Sequence, residues 1–310
     1  MFKNIWRHLK KDRKIQFGPL ALAFKFERSV SVTRNKKAHF KYASVRHQDW
    51  INNRDETVRI ELNEQMGNSS LTPAAGSELA LIVGVGPGFG YALARKLAKE
   101  GIAVVLASRN AKRLDDLVSE IQSAGGFACA YGCDATSEAS VVDLFTKVSA
   151  THGVPQLVVY SLQSFGPGTV MDIELPAFEE GWKHNCLGSF LVARSAARLM
   201  HRVGRGSIIL VGSTSSILGR AGHLNLAVGK FGQRALAQVL ARELWPAGVH
   251  VAHLLIDADI REDNTDDEAG TSSDPQQIAE TVFTLHRQPK TAWSSEMDIR
   301  PWNEQFWEHC

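Results

Sequence analysis

The chain has 310 residues, 44% hydrophobic and 22% charged, with a formal net charge of +2. This composition suits one globular α/β domain plus extra sequence, with enough core to fold without disulfides. No apolar run approaches the roughly 18 residues of a membrane helix, which excludes a transmembrane segment. Cys129, Cys133, Cys186 and Cys310 form no C-x-x-C pair and no zinc-finger spacing with histidine. They read as reduced structural thiols of an intracellular, cytoplasmic protein, and no metal site is expected.

The small net charge conceals an asymmetry. Residues 1–47 carry 13 Lys/Arg against only Asp12 and Glu27, which leaves the remainder acidic. Such a basic, acid-poor segment reads as a disordered extension or as a targeting segment for an organelle such as the mitochondrion. A tail for anionic membrane or nucleic acid is the weaker reading, and no nucleic-acid partner is expected. Residues 1–65 are therefore taken as an N-terminal extension. Residues 66–77, mostly small and polar, form a linker, and 78–310 make up the domain.

Within that domain short apolar runs alternate with amphipathic stretches. A first strand is predicted over Leu79–Val85, a glycine-rich turn follows, and a helix covers Phe89–Glu100. Next come a strand at Ala103–Ser108 and a helix at Ala111–Ala124, with Leu114, Leu117 and Ile121 on one face. A strand at Phe127–Tyr131 leads to a helix at Ser137–Thr151 and a strand at Leu157–Tyr160. One long helix is expected over Ala177–His201, then a strand at Ser207–Val211. Another long helix covers Leu224–Trp245 before a strand at His250–Ile256. Residues 261–275 are acidic and polar and read as a loop. A helix near Pro275–Leu285 and a strand near Met297–Ile299 close the pattern. Alternating strands and helices imply a single Rossmann-like, doubly wound parallel sheet with helices on both faces.

The turn after the first strand contains Gly84, Gly86, Gly88, Phe89 and Gly90. Between an apolar strand and an Ala-rich helix, glycines let the backbone approach a pyrophosphate. The helix N-terminus offers it free N–H groups and partial positive charge. An acid at the end of the second strand would hold ribose hydroxyls and repel a 2′-phosphate. The chain has Ser108, Arg109 and Asn110 there instead, and Arg109 can pair with a phosphate. NADP is therefore favoured over NAD. Asp134 and Ala135 follow the third strand, where a carboxylate accepts from an adenine amino group or caps the next loop.

Taken together, these residues resemble the short-chain dehydrogenase/reductase family over about residues 78–302. The resemblance gives Gly84, Gly88 and Gly90 the family's glycine pattern and Asp134 the adenine contact. It implies active-site roles for Asn185, Ser213 and Lys230. The family's tyrosine precedes its lysine by four residues, which is Leu226 here, thirteen residues after Ser213. The register is intact and the proton donor is missing. Tyr160-Ser161-Leu162-Gln163 and Ile256-Asp257 also depart from the family pattern, with bulkier residues near the expected nicotinamide position. His223, three residues before Leu226, is a candidate donor. Two readings follow. One is an NADP(H)-dependent oxidoreductase acting on a carbonyl or alcohol of a small molecule. The other is a catalytically inactive NADP(H)-binding sensor or scaffold. The resemblance also implies a homodimer or homotetramer built on the two long helices.

Overall fold

The computed structural model describes residues 73, 76–260, 270 and 272–304. The expected extension, and all of the linker except 73, 76 and 77, lie outside the described residues. β1 (Leu79–Val83) is apolar throughout because both of its faces are covered. It leads through the glycine turn into α1 (Phe89–Lys99), then β2 (Ala103–Ser108), a short 3₁₀ turn and α2 (Asp115–Ser123). The second expected helix is thus divided, its first turn wound more tightly. β3 (Ala128–Gly132), α3 (Glu138–Thr151) and β4 (Leu157–Tyr160) follow, with the Ser137 side chain capping α3.

The long helix expected at 177–201 is interrupted. α4 (Leu175–Trp182) passes through a π-helical turn at Lys183–Leu187 into α5 (Gly188–Val203), which ends at Gly204 with φ 66°. β5 (Gly206–Ser213), α6 (Leu224–Leu244), β6 (Val249–Ile256) and two short strands, β7 (Asp259–Ile260) and β8 (Ser272–Ser273), come next. α7 (Pro275–Arg287), capped by Asp274, and β9 (Glu296–Ile299) complete the described part.

Seven strands form one parallel sheet in the order β3-β2-β1-β4-β5-β6-β9. One apolar layer packs α3, α5 and α6 against it, with Val148, Val192 and Ala237 among the contacts. The opposite layer uses Leu93 of α1, Leu117 of α2 and Val282 of α7. No helix among the described residues is long and apolar enough to cross a membrane. The winding direction reverses between β1 and β4, where a doubly wound sheet opens a crevice at its strand ends.

Candidate active site

A cleft of about 1110 Å³ occupies that crevice. Its wall takes Val83 from β1, Ser108 from β2, Ser161 after β4, Ser213 from β5 and Ile256 from β6. Tertiary folding thus brings to one groove residues spread over most of the domain.

One end is a backbone cradle. Gly84 has φ +95° and faces Leu162 so closely that an added Cβ would lie 2.8 Å from the Leu162 nitrogen. The position requires glycine on both counts. Gly86 lines the cleft, and a Cβ there would meet no protein atom, so any side chain would take up open space at the rim. Gly88, at φ 74°, precedes α1, and no side-chain oxygen caps that helix. The Tyr91 and Ala92 N–H groups donate to the Gly86 and Gly88 carbonyls, which leaves those of Phe89 and Gly90 to another acceptor, as an anion site at a helix N-terminus requires. Phe89 and Gly90 also line the cleft.

Arg109 lies exposed at the end of β2 and makes no hydrogen bond or ion pair among the described residues. Arg113 lies one tight turn further along the same wall, a second cation that the motif did not single out. Ser108 Oγ donates to the Asn110 carbonyl at 2.8 Å and fixes this corner. Asp134 Oδ1 accepts from the Thr136 N–H at 2.9 Å and the Thr136 hydroxyl at 2.7 Å. Those bonds, with smaller help from the charges of His184 and Arg109, hold its carboxyl below the usual carboxylate range. Asp134 is thus a fixed, ionised acceptor on the cleft wall next to Ala135. These features suit a dinucleotide with its diphosphate on the cradle.

The other end departs from an acid–base site. Leu226 is 5% exposed and lines the cleft one helical turn before Lys230. Lys230 is buried, and its Nζ donates to the carbonyls of Val211 at 2.8 Å and Leu162 at 3.3 Å and to Gln233 Oε1 at 3.4 Å. Burial pushes this amine down to about 7. Ser213 lies in the wall with a buried Oγ that has no hydrogen-bond partner among the described residues. Its N–H donates to Ser216 Oγ at 3.2 Å. The reciprocal contact from the Ser216 backbone completes a capping box too loosely to count as a hydrogen bond to Ser213 Oγ.

Asn185 is fully buried within the π-helical turn and is not part of the cleft wall. Its Oδ1 accepts from the Ser164 N–H at 3.0 Å, and its Nδ2 donates to the Ser164 carbonyl at 2.7 Å. It clamps the segment after β4, whose Gln163 and Phe165 do line the cleft. Asp257 also lines it, but its carboxylate accepts from the Thr214 hydroxyl and pairs with Arg300. The acid expected to crowd the cleft is therefore held by neighbours. His223 stacks on Phe165, with ring centroids 4.8 Å apart, and its Nδ1 lies 3.1 Å from the Ala221 carbonyl.

Ser161, His184 and Arg220 also line the cleft; sequence reasoning named Ser161 only within a segment that departs from the family pattern and gave the other two no role. Ser161 Oγ donates to the Gly84 carbonyl at 3.0 Å, tying the end of β4 to the cradle. Position at a strand end was the only available signal for Ser161. Nothing in the sequence distinguished His184 or Arg220.

Comparison with known proteins agrees with this geometry. The family model described as short chain dehydrogenase matches residues 78–268. The sorbitol-6-phosphate 2-dehydrogenase of Escherichia coli is 33% identical over 183 residues, which is 58% of this chain and 71% of that protein. The (3R)-3-hydroxyacyl-CoA dehydrogenase of mouse is 33% identical over 191 residues, or 58% of this chain and 73% of its own. Among solved structures, a short-chain dehydrogenase from Rhodopseudomonas palustris is 33% identical with a TM-score of 0.65, covering 73% of this chain and 99% of that one. A metagenomic short-chain oxidoreductase in complex with NADP is 27% identical with a TM-score of 0.64, covering 75% and 99%. With the glycine cradle, the strand order and the Ser213–Lys230 register on the same sheet, the chain belongs to the short-chain dehydrogenase family.

Proposed function

We propose that this protein is an NADP(H)-dependent oxidoreductase that moves a hydride to or from a carbonyl or alcohol of a small molecule, in a site without the customary proton donor. The observation that carries this reading is Ser213 Oγ, buried in the cleft wall with no hydrogen-bond partner among the described residues, opposite a cradle suited to a dinucleotide. A buried hydroxyl without a partner costs free energy, and a substrate oxygen would supply one. The bound dinucleotide would supply the hydride or accept it at its nicotinamide.

Ser213 would then polarise the substrate oxygen, and Arg109 with Arg113 would hold the 2′-phosphate. Lys230 stiffens the floor by joining Leu162 and Val211. The exposed apolar residues Trp182 of α4, Phe190 of α5 and Phe231 of α6 support a homo-oligomer built on these helices. Arg109→Ala is expected to weaken NADPH binding by about tenfold or more while leaving NADH nearly unchanged, because a charge-assisted contact is worth roughly 1.5–3 kcal/mol. Paired calorimetric titrations with the two nucleotides check this.

Leu226 supports a second reading, a sensor or scaffold that binds NADP(H) without turnover, since an apolar side chain stands where the acid is expected. The deciding experiment incubates the protein and a metabolite extract with NADPH carrying deuterium on the transferable face, and follows the label by mass spectrometry. Deuterium in a product above the Ser213→Ala level is expected. No label, alongside measured NADPH binding, would favour the sensor.

A further inference from the structure

The connection from β5 to α6 runs from Ser213 to His223, and it carries an arginine to which nothing above gives a role. Arg220 is exposed and lines the cleft. Its side chain makes no hydrogen bond or ion pair among the described residues. The backbone around it is braced. The N–H groups of Ile217 and Leu218 both donate to the Thr214 carbonyl, at 2.9 and 3.0 Å. The Arg220 carbonyl accepts from the His223 N–H at 3.1 Å, and the Gly222 carbonyl from the Gly168 N–H at 3.0 Å. A held backbone thus presents a guanidinium whose donors are unspent.

The other Lys and Arg side chains of the cleft wall already have tasks. Arg109 and Arg113 stand at the β2 end, with the dinucleotide cradle. Lys230 is buried and spends its protons on three acceptors. Arg220 shares its chain segment with Ser213, so its charge belongs to the substrate end. The acids of the wall come from other elements. Asp134 follows β3, Asp257 is held by Thr214 and Arg300, and Asp259 and Glu304 follow β6 and β9. A flat apolar surface completes this end. Phe165 stacks on His223 with the ring planes 21° apart, and Leu226 lines the same cleft.

We propose that Arg220 is a specificity-determining residue that binds the carboxylate of a keto acid or hydroxy acid substrate. The carbonyl or hydroxyl oxygen then meets Ser213, and the apolar body lies against Phe165 and His223. This rests on the hydride-transfer reading above and names its substrate class. A guanidinium offers parallel N–H groups that match the two oxygens of a carboxylate. A phosphate could take the same fork, but it brings a charge of about −1.5 to −2. Asp259 and Glu304 line the same cleft and repel such a group about twice as strongly as a single negative charge. One fork facing those acids therefore favours the monoanion. The contact also strengthens as the substrate fills the cleft and displaces water.

The test uses the full chain and three probes, benzoylformate, benzoylacetate and 3-benzoylpropionate, each beside its methyl ester. They set the carboxylate progressively further from the carbonyl carbon. Two readouts are taken: calorimetric binding to the protein saturated with NADP⁺, where no turnover occurs, and oxidation of NADPH. At least one acid is expected to bind about 10–100-fold more tightly than its ester, with a matching gap in kcat/KM, the scale of a charge-assisted pair. Arg220→Gln should abolish that gap by weakening the acid, with the ester changed by less than about threefold. Arg220→Lys keeps the charge without the fork and should restore part of the gap. Acids no better than esters in the wild type, or equal losses for acid and ester in Arg220→Gln, would overturn the proposal. So would dihydroxyacetone phosphate binding through Arg220 more tightly than every acid, which would assign the fork to a phosphate. If an acid binds through Arg220 yet takes no hydride, the hydride-transfer reading has failed, and the carboxylate site stands as that of a ligand.

Discussion

Leu226→Tyr is expected to raise the hydride-transfer rate by about 10²–10⁴-fold, the range of general acid catalysis, worth roughly 3–5 kcal/mol at the barrier. Leucine cannot hold or release a proton, whereas the hydroxyl of a tyrosine can. The position is well placed for the exchange. Leu226 lines the cleft, so the larger ring can extend into open space and avoid most of the roughly 1–3 kcal/mol cost of overpacking. Lys230 lies one turn further along α6 on the same face, where its charged form, kept below about pH 7, would lower the tyrosine's pKa. Reduction of trifluoroacetophenone by NADPH, measured in stopped flow for both proteins, reads the gain directly. A variant that folds, binds NADPH and is no faster would mean that Gln163 and Asp257 have already reshaped the pocket. The sensor reading would then stand.

The second large effect concerns stability and pH. An unfolded lysine binds its proton up to a pH of about 10.4, whereas buried Lys230 keeps one only below about 7. Between these values the unfolded chain holds the extra proton, so stability rises with pH across that window. Below pH 7 the full penalty applies; above 10.4 it is gone. The depression from about 10.4 to about 7 corresponds to a swing on the order of 4–5 kcal/mol, at 1.36 kcal/mol per unit. Lys230→Met keeps the stem and removes the titrating group, so its stability should lack this rise. At high pH the variant should be the less stable of the two, because the Val211 and Leu162 carbonyls and Gln233 Oε1 lose their donor. Urea titrations of both proteins at pH 6.5 and 9.5 give the comparison. Parallel pH dependences in the two proteins would show that Lys230 stays charged in the fold.

Much of the architecture could be read directly from the chain. The runs at 79–83, 103–108, 157–160 and 249–256 are mostly apolar because a parallel sheet is covered on both faces, and the exceptions in β6, His250 and His253, are buried against hydrogen-bond partners. Boundaries were less legible. The segment 175–203 has one continuous amphipathic pattern, yet it winds into a π turn at 183–187. There the Tyr160 hydroxyl donates to the His184 carbonyl, and Gly188 leaves room for that hydroxyl. Such a contact comes from 24 residues away along the chain and carries no periodic signal.

The candidate site divides the same way. The sequence by itself determined the glycine turn, the free Arg109 at the end of β2, and the counted register that sets Leu226 against Ser213 and Lys230. These are local features, fixed by spacing along one strand or one helix. Only the tertiary structure decided that Asn185 clamps Ser164, that Asp257 is taken up by Thr214 and Arg300, and that Lys230 is held by three acceptors. It alone brought His253 and Glu296, 43 residues apart, into register behind Gly212. Hydrogen bonding and charge compensation act between elements that meet only when the sheet closes, so no pattern along the chain can encode which polar group finds which partner.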